Sequence, residues 1–456
     1  MTSTDLKKIT ERYFSDFNLN LAKHESENLT LEAHKISLDF SDKSGSHDLS
    51  HPPEYSYQTF LRPLFGKQGV NDSKVGPHPD FAYLKDTEDV KLHYIVTMFV
   101  DISRSSRLAL LLNLEDVYLV KNRILQACVD VVRALDGFPH RLMGDALMAY
   151  FGGLSYSKED AIANALNAAS TLKFILSEYV FPSLNQKIER DVDLGVKIGI
   201  DFGDDHEVIW ANYGYGEASE VTALGIPVDL ASKAQRQAKR NTVMLGEGVL
   251  NHIDFPDDYS EIKTKVVSNN NSKEERYILP NMIKSDGEKL NRKCRLLKMD
   301  NYQKLLPLKV SEKIGLDNHV KGLIANENCE FSCRYRQNES SDWKPYRSVS
   351  MFLEKGMMLE FILNVDRQVL VGFGPLKVSF VKTNHGKEAR NAAKGDEGTF
   401  NAGTYYLNPT SVHIARTAIL PEATAYRGLH TMEVQVSPKE SPQVILYQDI
   451  IGVYIK

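Results

Sequence analysis

At 456 residues the chain has room for two or three domains, and its 42% apolar and 25% charged content is that of an ordinary globular protein. A formal net charge of −5 argues against a dedicated nucleic-acid binder, and no apolar run approaches the roughly 20 residues that span a bilayer. The opening Met-Thr-Ser-Thr-Asp-Leu-Lys-Lys lacks the apolar core of a signal peptide, and four cysteines are too few for a disulfide scaffold, so a cytoplasmic protein with reduced thiols is expected.

Residues 1–90 read as an N-terminal extension. Ile9, Tyr13, Phe14 and Phe17 have helical spacing and predict a short amphipathic helix, for packing on the main domain or for a dimer contact. Residues 41–52 read as a loop, so His47, Asp48 and His51 are expected to be solvated rather than metal-bound. Tyr55, Tyr57 and Phe60 can pack over the core or flank a pocket.

The most informative stretch begins at His93. Tyr94-Ile-Val-Thr-Met-Phe-Val-Asp101 is a strand apolar on both faces that ends in an acid. Ser103, Arg104, Ser105 and Ser106 follow, at the expected start of a helix running through Leu108, Leu111, Leu112, Val117, Val120, Ile124, Cys128 and Val132. Serines and amides there suit an anion. Next comes Arg141-Leu-Met-Gly-Asp145-Ala-Leu-Met-Ala-Tyr-Phe-Gly152, a hairpin turning at Gly144-Asp145. If the hairpin pairs beside the first strand, Asp101 and Asp145 converge. Two carboxylates holding two Mg2+ or Mn2+ ions suit phosphoryl transfer. The plainer alternative makes Asp145 turn chemistry and Asp101 a strand end.

Beyond the hairpin, Ser157 fits an N-cap ahead of Lys158-Glu159-Asp160, and Ala161, Ile162, Ala165, Leu166, Ala169 and Leu172 form a helix face. Strict alternation at Val192, Leu194, Val196, Ile198 and Ile200 predicts a strand over 192–202, with another around 207–213. The order β-α-β-β-α-β is the ferredoxin-like arrangement. Gly225 and Pro227 then feed a helix on which Asp229, Lys233, Arg236 and Arg240 share one face. Such a row is either a solvated charge stripe or a working surface.

Residues 255–320 are polar, with Ser268-Asn-Asn-Asn-Ser272 read as a loop, and 281–320 as a linker. From 321 the pattern is β-rich: Phe331, Cys333 and Tyr335 alternate, as do Phe361, Leu363 and Val365. Cys329 and Cys333, four apart in one strand, would lie about 13 Å apart, too far to bridge.

Phe-Val-Asp101-Ile-Ser and Arg141-Leu-Met-Gly-Asp145-Ala-Leu-Met-Ala-Tyr-Phe-Gly together resemble the class III nucleotidyl cyclase domain, over roughly 91–280. Lys382, Asn384, Gly386 and Ala389, followed by Glu422, Thr424, Tyr426, Gly428, His430 and Glu433, resemble the AGS-C domain, a sensor appended to bacterial defence enzymes. The combination resembles the Pycsar pyrimidine cyclases of anti-phage signalling. The fold implied is α+β, a ferredoxin-like cyclase core plus a β-rich C-terminal domain over 321–456; an inert supporting sandwich is the alternative there, with His430 a structural histidine.

The resemblance implies a role for each site residue. Asp101, Asp145 and the Ile102 backbone would hold two Mg2+ or Mn2+ ions. Ser103, Arg104, Ser105 and Ser106 would contact the β- and γ-phosphates. Arg141 and Thr222 would read the base; Arg only donates, whereas a Thr hydroxyl donates or accepts, which by itself leaves CTP and UTP open. The domain layout favours CTP. Asp229 and Lys233 stand where the family usually has Asn and Arg, and lysine keeps the charge without the bidentate fork; Arg236 can substitute one turn on. The family's head-to-tail site implies a homodimer with two shared sites, and a cyclic nucleotide product acting on a separate effector, with no stable nucleic-acid or membrane partner. Competing readings are a uridylate cyclase, a purine cyclase and a non-catalytic nucleotide-binding regulator. A diguanylate cyclase is disfavoured because its Gly-Gly-Asp/Glu-Glu-Phe hairpin signature is absent.

Overall fold

A computed structural model of the chain describes residues 3–15, 56–268, 271–274, 282–283, 287, 289–290, 295–314, 321–392, 395–409 and 416–456. Its elements, in chain order, begin with α1 (Ser3–Ser15), α2 (Ser56–Leu64), β1 (Val90–Leu92), β2 (Ile95–Ile102), α3 (Ser105–Leu111) and α4 (Leu114–Ala134). The hairpin β3 (Gly137–Met143) and β4 (Ala146–Phe151) leads to α5 (Lys158–Ile175) and β5 (Val196–Gly203). There follow β6 (Ile209–Tyr213), β7 (Glu220–Leu224), α6 (Ile226–Gln237), β8 (Thr242–Leu245), β9 (Ser260–Ile262) and β10 (Arg295–Leu297).

The main sheet has seven strands in the order β3-β4-β2-β5-β8-β10-β9. Its first four members are the ferredoxin-like arrangement expected from the chain order, with β2 central and antiparallel to both β4 and β5. A strand paired on both edges and covered on both faces is buried throughout, which is why Ile95, Val96, Met98 and Val100 read as a continuous apolar run. β1, β6 and β7 form a separate three-stranded sheet, beneath which Trp210 stacks on Phe81 at 4.1 Å between ring centroids.

Several local expectations change in three dimensions. The helix after Asp101 is two helices: Leu112 is extended, and Asn113 caps α4 by accepting from the Asp116 amide at 2.7 Å. The strand expected over 192–202 starts at Val196; Val192 and Leu194 are buried without pairing in a sheet. The Leu194 amide instead bonds the Val192 carbonyl, closing a tight turn. Arg240 lies beyond the end of α6 at Gln237, where it pairs with Asp193, so it leaves the charged helix face. The stretch 281–320 is more than a linker: β10 pairs with β8 and β9, and Lys313 makes a buried 2.8 Å ion pair with Asp449. Within 268–272, Ser268 pairs with Asn271 as the end of a hairpin. The 41–52 loop with His47, Asp48 and His51, and the side chains of Tyr13, Phe14, Phe17 and Tyr55, lie outside the described residues. Within α1, Leu6 is buried, and Thr10 Oγ1 lies 3.2 Å from the hydroxyl of Tyr57, itself buried in the main core with Phe60. These residues pack over the core.

The C-terminal region is a sandwich of two sheets. One runs Lys344–Tyr346, Cys329–Arg336, Met358–Val365, Thr417–Ala423; the other runs Phe352–Leu353, Tyr447–Ile455, Gly428–Pro438, Leu376–Asn384, Gly398–Leu407. His430 is buried and accepts from the His385 amide at 3.3 Å while donating to the Tyr426 carbonyl at 2.8 Å, which fits a structural histidine. One hydrophobic cluster runs from the cyclase-like core into the sandwich. At the seam Asn167 donates to the Val349 carbonyl at 2.8 Å, and the Tyr302 hydroxyl lies 3.0 Å from both Asn167 and Tyr454.

The N-terminus of α5 ties the two regions together. Ser157 caps it as expected, accepting from the Asp160 amide at 3.1 Å, and Asp160 accepts from the Phe352 amide at 2.7 Å. Glu159 lies 3.3 Å from His252 and 3.6 Å from Arg427 of the sandwich. His252 and then Arg427 hold its carboxyl at about 2, below the usual 4.5. A depressed carboxyl adds stability above its unfolded pKa and loses it as pH falls through the folded one. Glu159→Gln therefore lowers the melting midpoint at pH 7, and its deficit against the native chain closes as pH falls from 4.5 towards 2. Calorimetry at several pH values measures this; a deficit independent of pH would refute the assignment.

Candidate active site

Asp101 sits at the second-last position of β2, opposite Ala146 of β4 on one side and Lys197 of β5 on the other. The hairpin turns at Gly144-Asp145, with Met143 facing Ala146 across a two-residue loop and Gly144 at φ +64°, a region costly for side chains other than glycine. The Asp145 carbonyl accepts from the Ile102 amide at 3.2 Å, which fastens the hairpin tip to the strand end. Asp101 and Asp145, both half-buried, are therefore neighbours.

Burial and then the negative charge of Asp145 raise the Asp101 carboxyl above the ordinary range, opposed by Lys197 and by Gln235, whose amide donates to Asp101 Oδ2 at 3.0 Å. A carboxylate held beside a second carboxylate that disfavours its charge is an arrangement a cation relieves. Together with a backbone carbonyl such as that of Ile102 they would make a hard oxygen set suited to Mg2+ or Mn2+. No third His, Cys, Asp or Glu joins them among the described residues, so the remaining ligands would come from phosphate and water, as is common for Mg2+.

Helix α6 crosses close over β2 and β5. Gly199 permits the approach: a Cβ there would lie 2.3 Å from the Gln235 amide nitrogen and 2.4 Å from the Ala231 carbonyl oxygen. The strand-facing side of α6 carries Ala231, Ala234 and Gln235, all buried. Asp229 and Arg236 are exposed and Lys233 is half-buried, with no ion-pair partner among the described residues. At about 100° per residue, Lys233 lies about 200° around the helix from Gln235. It thus faces away from the Asp101 of its own chain.

The serine run is divided. Ser103 is buried, its amide bonds the Gly195 carbonyl at 2.8 Å, and its hydroxyl has no hydrogen-bond partner among the described residues. Ser105 is also buried. Arg104 and Ser106 are exposed; Arg104 is left-handed at φ 57° and lies 3.6 Å from Asp193.

Arg141 and Thr222 are brought close together through Glu220 on β7. Arg141 forms an ion pair with Glu220, two residues before Thr222 and so on the same face of that strand. Thr222 is buried, and its hydroxyl lies 3.1 Å from His140 Nε2 and 3.0 Å from the Tyr150 hydroxyl. Sequence reasoning did not single out Glu220, His140, Tyr150 or Gln235. His140 and Tyr150 flank or lie in the hairpin motif, but nothing local to them announces a partner 82 or 72 residues away.

The Adenylyl/Guanylyl and SMODS C-terminal sensor domain matches residues 309–456. A cytidylate cyclase of Escherichia coli is 46% identical over 411 residues, 88% of each chain. A cytidylate cyclase of Staphylococcus aureus is 34% identical over 404 residues, covering 87% of this chain and 86% of that one. Among solved structures, the adenylyl cyclase CyaB from P. aeruginosa overlaps 46% of this chain and 95% of its own at 16% identity, with a TM-score of 0.35. Identity at this level along most of both partners places the chain in the cytidylate cyclase family.

Proposed function

We propose that this chain converts CTP to 3′,5′-cyclic CMP and pyrophosphate. The observation that carries the reading is the meeting of Asp101 and Asp145 at one strand end, fastened by the 3.2 Å Ile102–Asp145 backbone bond. The cytidylate cyclase names of the relatives support the choice of base. In the reaction the ribose 3′-oxygen bonds the α-phosphorus, the bond from that phosphorus to the leaving oxygen breaks, and the hydroxyl proton passes to solvent. No covalent enzyme nucleophile is required, so catalysis is positioning and charge stabilisation.

Asp101, Asp145 and the Ile102 carbonyl would hold two Mg2+ or Mn2+ ions, which when bound supply Lewis acidity to the hydroxyl and neutralise the triphosphate. Arg104 and Ser106, the exposed members of 103–106, would take the terminal phosphates; Ser103 and Ser105 would support that turn from within. Arg141, aimed by Glu220, and Thr222 would read the base. Because Lys233 faces away from its own Asp101 and Arg236 is exposed, they would serve the site of a second subunit: the partner subunit's Lys233 and the partner subunit's Arg236 would steady the charge developing on the phosphates, and the partner subunit's Asp229 would orient the ribose. Leu142 and Met143, on the arm leading to Asp145, and Leu110, Leu114 and Tyr118 on α3 and α4 are exposed apolar side chains that a homodimer would cover.

The 309–456 match to a sensor domain supports a signalling enzyme of anti-phage defence whose product acts on a separate effector. No helix among the described residues is long and apolar enough to cross a membrane; we place the enzyme in the cytoplasm. The domains are proposed as 1–90, 91–280, 281–320 and 321–456, with the described residues 295–314 packed against both neighbours.

Incubating the purified chain with Mn2+ and ATP, GTP, CTP or UTP separately, with products identified by mass, tests the reading. Cyclic CMP is expected, and Arg141→Ala is expected to raise KM for CTP or change the preferred base without altering the metal requirement. Cyclic UMP would correct the base. Triphosphate binding with no product from any of the four, across a range of metal concentrations, would count for a non-catalytic regulator.

A further inference from the structure

His140 is buried, and its Nδ1 lies 3.0 Å from the Gly76 carbonyl oxygen. A carbonyl only accepts, so Nδ1 carries the hydrogen. Burial lowers the imidazole pKa and favours the neutral ring. In a neutral ring with Nδ1 protonated, Nε2 is an acceptor. Glu220 is the carboxylate near this nitrogen, at 3.9 Å, beyond hydrogen-bond distance.

Nε2 faces the Thr222 hydroxyl at 3.1 Å, so Thr222 must donate to it. The Tyr150 hydroxyl, 3.0 Å from the same oxygen, accepts from the Ala223 amide at 3.2 Å and keeps its own proton, since burial pushes its phenol up to about 12. Tyr150 therefore donates to Thr222. The reverse assignment would set the Nε2 lone pair against a Thr222 lone pair. A hydroxyl has one donor and two acceptor sites. On Thr222 the donor and one acceptor are taken, and a single lone pair remains.

We propose that His140 is a positioning residue for base selection: by fixing the Thr222 proton on its own Nε2, it leaves Thr222 able only to accept from the base. The exocyclic N4 amino group of cytosine donates, whereas the O4 of a uracil-type ring accepts. Two acceptors facing each other in a buried place are disfavoured. The relay therefore rejects UTP where a freely rotating threonine hydroxyl would tolerate either base. This inference rests on the proposed reading of Thr222 as a base contact.

The experiment compares kcat/KM for CTP and for UTP in the full chain, alongside dissociation constants for the same two triphosphates by calorimetry. The variants are His140→Leu, Tyr150→Phe and Thr222→Val, each checked for cooperative melting. His140→Leu releases the Thr222 proton, and the CTP-to-UTP ratio is expected to fall roughly 10- to 100-fold. Tyr150→Phe removes a neighbouring bond to the same hydroxyl but leaves the proton on His140, so the ratio is expected to hold within about threefold, while Thr222→Val loses it. A folded His140→Leu with the native ratio overturns the proposal. So does a Tyr150→Phe that loses the ratio, which decides the matter even where His140→Leu does not fold. A native chain that prefers UTP also overturns it. A chain that binds CTP selectively, through His140 in this way, but forms no cyclic product would sink the cyclase reading and leave the selection device standing.

Discussion

Asp101→Asn lowers cyclic CMP formation by at least about 10³-fold while leaving the melting midpoint unchanged or raised. The carboxylate is half-buried at a strand end beside Asp145, and both burial and that neighbour disfavour its charge. Replacing it with a neutral isostere removes the repulsion, and the new side-chain oxygen can still accept from Gln235, now 3.0 Å from Asp101 Oδ2. Folding thus loses little or gains, whereas a carboxylate oxygen of the proposed cation set is lost. This opposition between activity and stability is typical of functional carboxylates. A fall in activity matched by a fall in stability would instead mark Asp101 as structural.

The same variant probes the shared site. Lys233→Ala removes a cation on the far side of α6 from its own Asp101, so in the proposed two-chain site each variant damages a different half. Unfolding and refolding an equal mixture of the two should recover about a quarter of native activity, since about half the dimers are mixed and each mixed dimer keeps one of two sites intact. Absence of recovery, with mixed dimers demonstrated by mass, would place the site within one chain.

Gly199→Val is expected to destabilise the chain by more than about 4 kcal/mol or to abolish cooperative folding. The atoms a side chain would strike, the Gln235 nitrogen at 2.3 Å and the Ala231 oxygen at 2.4 Å, are backbone and cannot rotate aside. The helix would have to lift from β5, taking Gln235 from Asp101 and displacing Lys233 and Arg236 together. Even Gly199→Ala carries the offending Cβ, so it should lower the urea midpoint measurably and reduce turnover. A Gly199→Ala chain with native stability would show that α6 can shift at little cost.

Much of the catalytic half was legible in the chain. A short apolar run located β2, the Gly144-Asp145 turn signal located the β3–β4 hairpin, and helical spacing located α5, because burial and turn chemistry are written directly into neighbouring residues. Gly144 and Ser157 marked the turn and the cap through local backbone chemistry, and both take those roles. The limits were local as well. The break between α3 and α4 depends on Asn113 capping in preference to a continuous apolar pattern, and β10 is three residues long in a polar stretch, too short to carry a period.

What the sequence by itself determined was the order of elements and the placing of two aspartates at a strand end and a hairpin tip. Both follow from interactions within a few residues of the chain. Tertiary structure alone decided which groups those elements meet: Gln235 on Asp101, Glu220 on Arg141, and His140 and Tyr150 on Thr222. It also decided that Lys233 faces away from its own aspartates, and that the C-terminal sandwich shares one core with the cyclase fold. These outcomes depend on strand register and on how closely α6 can approach Gly199, which join residues scores of positions apart. A buried hydroxyl acquires a donor or acceptor role only when such partners arrive, so its chemistry cannot be read from its own neighbours in the chain.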